Sequence, residues 1–522
     1  MASLTFEGGL NEMDASLVKQ NECIEGYNYE LNFSQSRFTP RLPFDLLGTA
    51  TNAGSLNGLI QLIKNDDTET TLAQSGDTVY LWNGTSTFTS KGTVNGSSYL
   101  RGTTWSLGGY TVITDLAKLT VVKSWDGTSL ATLTTGLGNP LYAKYGLVYL
   151  GRMWLFNVKA GTDTPHLMVA SEYETPTSYD TTKRAKDSTF TTGNEAFYMT
   201  TPDLLPINGV DVFFNTLIVS TENGRLWKLT GTSSLDFAWS PFYAKSCAGG
   251  AGINVESMVN VGNDILYMKN NGVVEAISTT QKFGDVTADD LSKWIKSQIS
   301  GLSYSISVYD QERMKVYFFT GSNKTLVLFK DVLENTEYSP WSVYKTDHTS
   351  NFDAKCAIYM RQPGGTAYYV YFGDNAGNIY QMDGTSTGDA GTTDINTYRK
   401  SKFIELFQDR YGNIINPSKD IIRGRVYYRR LADCDLLLDF EWADDYGINR
   451  CTVPLDGPST GDGAIYYGGS GYYGGSYYYN VGFQFSQRTS TKGFSPVGRG
   501  PGFYVSTTIQ SDQTFDVLKL EI

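Results

Sequence analysis

The sequence predicts an all-β protein. Its main body reads as a β-propeller of seven blades, with six as the alternative count, followed by a C-terminal domain like a β-sandwich. Three observations carry this. Glycine (54), tyrosine (36) and phenylalanine (26) are abundant in the 522 residues, a mix that suits twisted sheets and tight turns rather than helical bundles or disorder. Hairpin signals recur at a spacing typical of four-stranded blades. A short turn motif, an apolar residue followed by a polar one and then Gly-Thr-Ser, repeats along the same span.

Taken in chain order, residues 1–50 form an extension ahead of the repeats. Met1 to Glu7 has neither a basic region nor an apolar stretch, so no secretion signal is expected, and no apolar run reaches membrane-spanning length. The extension is expected to run outside the blade array and to add a closing strand. Residues 51–395 form the propeller. The clearest hairpin is Ile265-Leu266-Tyr267-Met268-Lys269, then Asn270-Asn271-Gly272, then Val273 to Ile277, because Asn-Gly accepts the positive φ a two-residue turn demands. Comparable centres lie near 76, 116, 161, 223, 322 and 375, giving steps of 40, 45, 62, 48, 51 and 53 residues. Blades run to about 40–50 residues. The one long step holds a Thr/Pro/Lys segment, Glu172 to Pro202, read as a surface insertion. The turn motif occurs at Trp82 to Ser86, Trp125 to Ser129, Leu229 to Ser233 and Met382 to Ser386. A run of hairpins buries its faces only when neighbours stack, so these marks belong to one array.

One helix is expected near 287–300, capped by Thr287, with Leu291, Trp294, Ile295 and Ile299 at helical spacing and Gly301 ending it. Trp294 reads as core. Beyond 395 the blade period stops. Residues 396–522 hold the strand runs Arg423 to Arg430, Leu436 to Trp442 and Phe503 to Ile509, and a Tyr/Gly-rich loop at 464–479.

Charge and residue usage exclude several functions. The net charge is −12, so clamping nucleic acid by phosphate neutralisation is disfavoured, while an acidic wall past which a duplex slides is allowed. His166 and His348 are the only histidines and are expected in exposed loops, which nearly removes His-based triads and His-rich metal sites. Cys23, Cys247, Cys356, Cys434 and Cys451 are odd in number and scattered, which suits reduced thiols used as small core residues. There is no phosphate loop, no nucleophile elbow and no sialidase-type Asp box, and Trp125-Asp126 lacks the Gly-His partner of a WD40 blade. The acids Asp433, Asp435, Asp439, Asp444 and Asp445 do not follow calcium-loop spacing and read as a solvated face. No catalytic residue, cofactor, metal or small-molecule substrate is expected.

The candidate sites are interfaces. Tyr466, Tyr467, Tyr472, Tyr473, Tyr477 and Tyr478 sit among glycines, a composition that offers large amphipathic contact area to a partner. Arg423, Arg425 and Arg429 share strand parity and form a basic stripe, read either as an interaction edge or as a solvated edge that blocks aggregation.

The sequence also resembles a known family. Gly8-Gly9-Leu10-Asn11, Asn21-Glu22-Cys23, Asn28, Leu31 and Arg41 resemble the opening of tail hub, or nozzle, proteins of short-tailed bacteriophages, the packaged-DNA stabilisation type. Ser171 to Tyr179 is similar to a segment after a strand in their propellers. Met314 to Phe319 with Trp341 to Tyr344 resembles their penultimate blade, and Gly500 to Val505 with Leu518 to Ile522 their terminal sheet. The resemblance implies a non-enzymatic virion protein made in the host cytoplasm. Its copies would form a ring, a hexamer, below the portal and its adaptor protein, with double-stranded DNA as passive cargo and tail fibres or spikes docked outside. A carbohydrate-binding or carbohydrate-cleaving propeller is the alternative, and cleavage would need two facing carboxylates in the propeller mouth.

Overall fold

The computed structural model describes residues 3–521 other than 5–7, 14–16, 20, 32–37, 53, 106–108, 134–139, 242–252, 280–285, 301, 303–305, 322, 336, 349–351, 387, 403, 406–418, 422–423, 430–433, 443–447, 456–488, 495–497, 501 and 511–515. Seven antiparallel sheets follow one another along the chain, six of them in strand order 1-2-3-4 and the seventh with its fourth strand taken from the N-terminal extension. Their first strands are Leu56–Ile63, Leu100–Trp105, Tyr142–Tyr149, Ile207–Phe213, Val259–Asn260, Ile306–Asp310 and Cys356–Arg361. Each first strand contacts the first strand of the next sheet, and the seventh contacts that of the first. That closed circuit is a seven-bladed propeller around one axis.

The seven hairpins read from the sequence all fall between the second and third strands of a blade. Each turn contains a residue at positive φ, namely Gly76, Lys118, Gly161, Gly224, Gly272, Gly321 and Gly377. The Gly-Thr-Ser motifs occupy a second common place, after the third strand of blades 1, 2, 4 and 7. In each, the residue opening the motif is buried: Trp82, Trp125, Leu229 and Met382. A carboxylate or amide oxygen then takes the turn's backbone N–H groups. Asn83 serves Thr85 and Thr87, Asp126 serves Thr128 and Ser129, and Asp236 serves Thr232 and Ser233. Blade 7 differs because its fourth strand comes from elsewhere, and there Asp45 of that strand accepts from Thr385 and Ser386.

That fourth strand is Asp45–Thr49, paired with Asn378–Gln381. The extension therefore closes the ring. The long step in the hairpin series is blade 3, where Thr162–Glu172 pairs with both Thr175–Tyr179 and Phe197–Thr200, and the residues between them are the inserted segment.

The C-terminal residues build two facing sheets. One joins Cys23–Tyr27, Asn396–Ser401, Gly502–Gln510, Cys434–Trp442 and Ile448–Leu455. The other joins Ser3–Leu4, Asp516–Glu521, Gly424–Arg429 and Thr489–Phe494. Val426, Tyr428 and Leu520 from one sheet and Leu436, Leu438, Phe440, Val505 and Ile509 from the other are buried in a single cluster, as a sandwich requires. The two C-terminal runs of the family resemblance thus lie in different sheets. The extension contributes a strand to each.

Several expectations are corrected. The span 287–300 is not one helix. Val286–Asp290 is the fourth strand of blade 5, and only Leu291–Trp294 (a 3₁₀ turn) and Lys296–Ile299 (one α turn) are helical. Asp290, not Thr287, is the cap, accepting from the Ser292 N–H. Pairing of Val286 with Thr279 and of Thr287 with Ser278 completes the blade, and β-branched residues favour that outcome. Leu291, Ile295 and Ile299 are buried, and Trp294 packs on the same core. A second helix, Lys330–Asn335, lies between the last two strands of blade 6. Neither histidine is exposed, and only His348 lies in a loop. His166 is a half-buried strand residue, and His348 lies edge-on to Phe44 at 5.7 Å. Cys23 and Cys356 are buried free thiols, and Cys451 is free and half-buried.

Candidate functional site

The propeller axis is the natural place for a site, because loops from every blade converge there. Its entrance on the side of the blade-to-blade connections is crossed by one side chain. Arg101, second residue of the inner strand of blade 2, donates from Nη2 to Glu256 Oε2 at 2.8 Å and from Nε to Glu256 Oε1. Glu256 lies just ahead of blade 5, on the far side of the ring. The same guanidinium donates to the carbonyls of Asn57 in blade 1 (2.7 Å) and Lys355 ahead of blade 7 (3.2 Å). Glu256 holds φ at +66°, a cost a non-glycine residue bears only where its surroundings fix it, and its own carbonyl accepts from Ser307 of blade 6. Arg101 and Glu256 are 20% and 11% exposed, so the pair is largely desolvated and ties five of the seven blades together.

Two further ionisable groups stand on inner strands. Burial holds the Lys144 ammonium in blade 3 below the usual lysine value. The Lys118 charge adds to this, while Asp163, Glu222 and Glu256 oppose it. Lys118 is itself engaged by Asp163 Oδ1 at 2.5 Å and Asn157 Oδ1 at 2.7 Å. Burial pushes Asp211 in blade 4 up to about 6, and the Val212 N–H and Asn260 recover part of that. Both Glu256 oxygens are occupied by Arg101, so a facing pair of free carboxylates for glycoside chemistry is not formed around that residue. Among the described residues, no three His, Cys, Asp or Glu side chains converge where they would hold a metal ion.

The sequence-stated interface residues fare unevenly. Arg425 is exposed, on a strand paired on both sides, with Thr489–Phe494 and Asp516–Glu521. That strand is interior to its sheet, so the edge reading is wrong: the second partner strand comes from the chain's far end and is invisible to local pattern. Arg429 lies at the end of the same strand. Arg423 and Tyr466, Tyr467, Tyr472, Tyr473, Tyr477 and Tyr478 lie outside the described residues. Of the acids read as a solvated face, Asp439 is partnered by Arg450 at 2.7 Å and 3.1 Å.

Residues of the opening segment, Gly9 to Arg41, lie together beside blade 6. Gly9 and Leu10 donate backbone N–H bonds to the Ser339 and Trp341 carbonyls, which covers the outer edge of blade 6. A Cβ on Gly9 would overlap Trp341 O. Glu22 accepts from the Ser339 N–H at 2.6 Å and from Asn11 at 2.6 Å. Asn28, at φ +61°, donates to Asn396 O and accepts from Lys345 N and from Arg41 Nε. Arg41 grips Asp389 with both terminal nitrogens, at 2.8 Å and 2.5 Å, with both side chains fully buried. Beside them Lys315 sits between Glu30 (2.8 Å) and Asp383 (3.3 Å), while Tyr344 and Tyr317 donate to the same two carboxylates. Burial alone would lower Lys315; Asp383 and Glu30 outweigh it and hold the ammonium above its usual value. This junction fastens propeller to sandwich.

A comparison with protein-family models finds no match, and a comparison with curated proteins finds none either. Solved structures do match in shape. Virginiamycin B lyase from Staphylococcus aureus aligns at 12% identity and TM-score 0.42, covering 65% of this chain and 98% of that one. BBS1N, solved in complex with ARL6DN, aligns in two structures at 8% identity, with TM-scores of 0.39 and 0.40, covering 66–67% of this chain and 97–99% of that one.

Proposed function

We propose that the protein is a structural subunit of a short phage tail. Its copies form a ring, a hexamer, below the portal and adaptor that retains packaged DNA, conducts it at ejection and docks fibres or spikes. The observation that carries this reading is the junction just described. Gly9, Asn11, Glu22, Asn28 and Arg41, residues of the family resemblance, tie the extension to blade 6 and to Asp389, and Asn28 reaches Asn396 of the C-terminal sheet. A ring that withstands packaged DNA needs such a rigid unit.

The closed axis supports the same reading. A guanidinium spans the entrance from blade 2 to blade 5, so a duplex runs through the space enclosed by the ring of copies and not through any single propeller. The net charge of −12 keeps that wall from binding phosphate. The protein then works without turnover of a substrate.

Negative-stain imaging of the purified protein, and of particles that carry it, tests the proposal. A ring with a central hole, placed under a portal, is the expected result. A monodisperse monomer that cleaves a bacterial polysaccharide overturns it.

A further inference from the structure

A groove of about 230 Å³ opens between blade 1 and the first turn of blade 7. Its lining includes Glu69, Thr71, Leu81, Asn83, Thr89 and Pro363. It lies away from the axis and belongs neither to the Arg101 bridge nor to the junction.

The polar groups in it are placed in advance. The Glu69 side chain is only 11% exposed. Its Oε1 accepts from Gln61 Nε2 at 2.9 Å, and Gln61 is itself fixed across the blade seam by the Arg361 N–H and carbonyl. The nearest cation to Oε2 is Arg361 Nε at 3.8 Å, beyond hydrogen-bond distance. Burial raises the Glu69 carboxyl above the ordinary range, with Arg361 and Gln61 offsetting part of it. Asn83 Oδ1 takes three bonds from Thr85 and Thr87, which sets the amide's orientation and leaves its NH₂ as a donor. Thr71, on the same strand as Glu69, is buried and its hydroxyl has no partner. Thr89 is exposed at the rim, and Trp82 and Pro363 supply apolar wall.

This set selects by charge. The nearby Arg361 disfavours a second cation, and the Glu69 carboxylate disfavours an anion. What remains is a neutral molecule that offers hydroxyl donors to a carboxylate, accepts from an amide and lays C–H surface on apolar wall. The volume admits about one six-membered ring. We propose that the groove is a saccharide subsite for a single pyranose unit, with adjacent hydroxyls donated to Glu69 and one oxygen accepting from the Asn83 amide. One carboxylate lines the groove where hydrolysis needs two, so the subsite binds without cleaving. The inference stands independently of the ring reading.

Saturation-transfer NMR on the full chain tests it, with methyl glucopyranoside, methyl galactopyranoside and methyl N-acetylglucosaminide as probes and glycerol as control. Transfer to at least one pyranoside and none to glycerol is expected. Glu69→Gln keeps the shape, and Asn83→Asp keeps the turn while removing the donor; each is expected to weaken binding about tenfold. Thr230→Val, in blade 4, leaves it unchanged. The proposal is overturned by no transfer to any of the three sugars, by equal transfer to glycerol, or by transfer that survives both groove substitutions in a folded protein.

Discussion

Replacing Arg41 by alanine tests whether the extension is what holds the propeller shut. Arg41 lies four residues before the closing strand Asp45–Thr49, and its guanidinium is fully buried against Asp389. It donates to both Asp389 oxygens, to Asn28 and to the carbonyls of Leu42 and Lys345. Removing it strands a buried carboxylate that keeps only Thr346 and the Phe44 N–H as donors. Breaking one side of such a pair costs about 3–5 kcal/mol. Unfolding entropy of about 2.1 cal/mol/K per residue over 522 residues gives about 1.1 kcal/mol/K, so Tm falls by about 3–5 °C if the chain melts as one unit. Differential scanning calorimetry reads that shift, and limited proteolysis reads release of the extension. Asp389→Leu alone is expected to cost a similar amount. Arg41→Met with Asp389→Leu is expected to recover part of the loss, because desolvating the pair offsets most of its attraction. A Tm within about 1 °C of the parent for Arg41→Ala, with the extension still protected, refutes the argument.

Three further outcomes are expected. Asp211 has its carboxyl raised from the usual range to about 6, so the folded state holds its proton more tightly than the unfolded state, and stability falls as pH rises between about 4 and 6. Asp211→Asn therefore stabilises the protein by about 1–2 kcal/mol at pH 7.5, after allowance for the solvent that still reaches the side chain, and by only about a few tenths of a kcal/mol at pH 4; an equal gain at both pH values, read from denaturant midpoints, contradicts this. Gly9→Ala forces a methyl group against the Trp341 carbonyl and is expected to expose the blade 6 edge, seen as faster amide exchange at Leu10 and Trp341. Exchange unchanged from the parent counts against it. Arg101→Met and Glu256→Met are each expected to lower stability by about 1–3 kcal/mol, and the double variant to cost less than their sum; strict additivity would mean that the bridge across the axis carries no coupling.

What was legible in the sequence is what local chemistry dictates. The second-to-third-strand turns need positive φ, and six of the seven supply it with glycine. The exception, Lys118, was still found through its flanking strand runs. The Gly-Thr-Ser turns were legible because an Asn or Asp near the glycine takes the turn's own N–H groups. The segment 286–290 was misread because the following Leu291, Ile295 and Ile299 keep helical spacing, whereas the backbone before them is claimed by the open edge of blade 5. Arg101 and Glu256 lie 155 residues apart with no pattern joining them, and only closure of the ring brings them together. The strand around Arg425 looked like an edge because its neighbour, Asp516–Glu521, returns from the far end of the chain.

The pairing of Asp45–Thr49 with Asn378–Gln381 also governs when the molecule can exist during its own synthesis. The strand that shuts blade 7 leaves the ribosome roughly 330 residues before its partner. At about 5–20 residues per second it waits about 15–70 s, while six blades accumulate as an open arc with both terminal edges unsatisfied. A polypeptide broken off anywhere before residue 378 has no seat for that strand and cannot become a ring of blades. Such fragments also lack Asp389, so Arg41 would be left without its carboxylate. Length is thereby checked by topology: an incomplete copy stays open and exposed to proteolysis, and only a chain that has reached its last blade presents a closed surface.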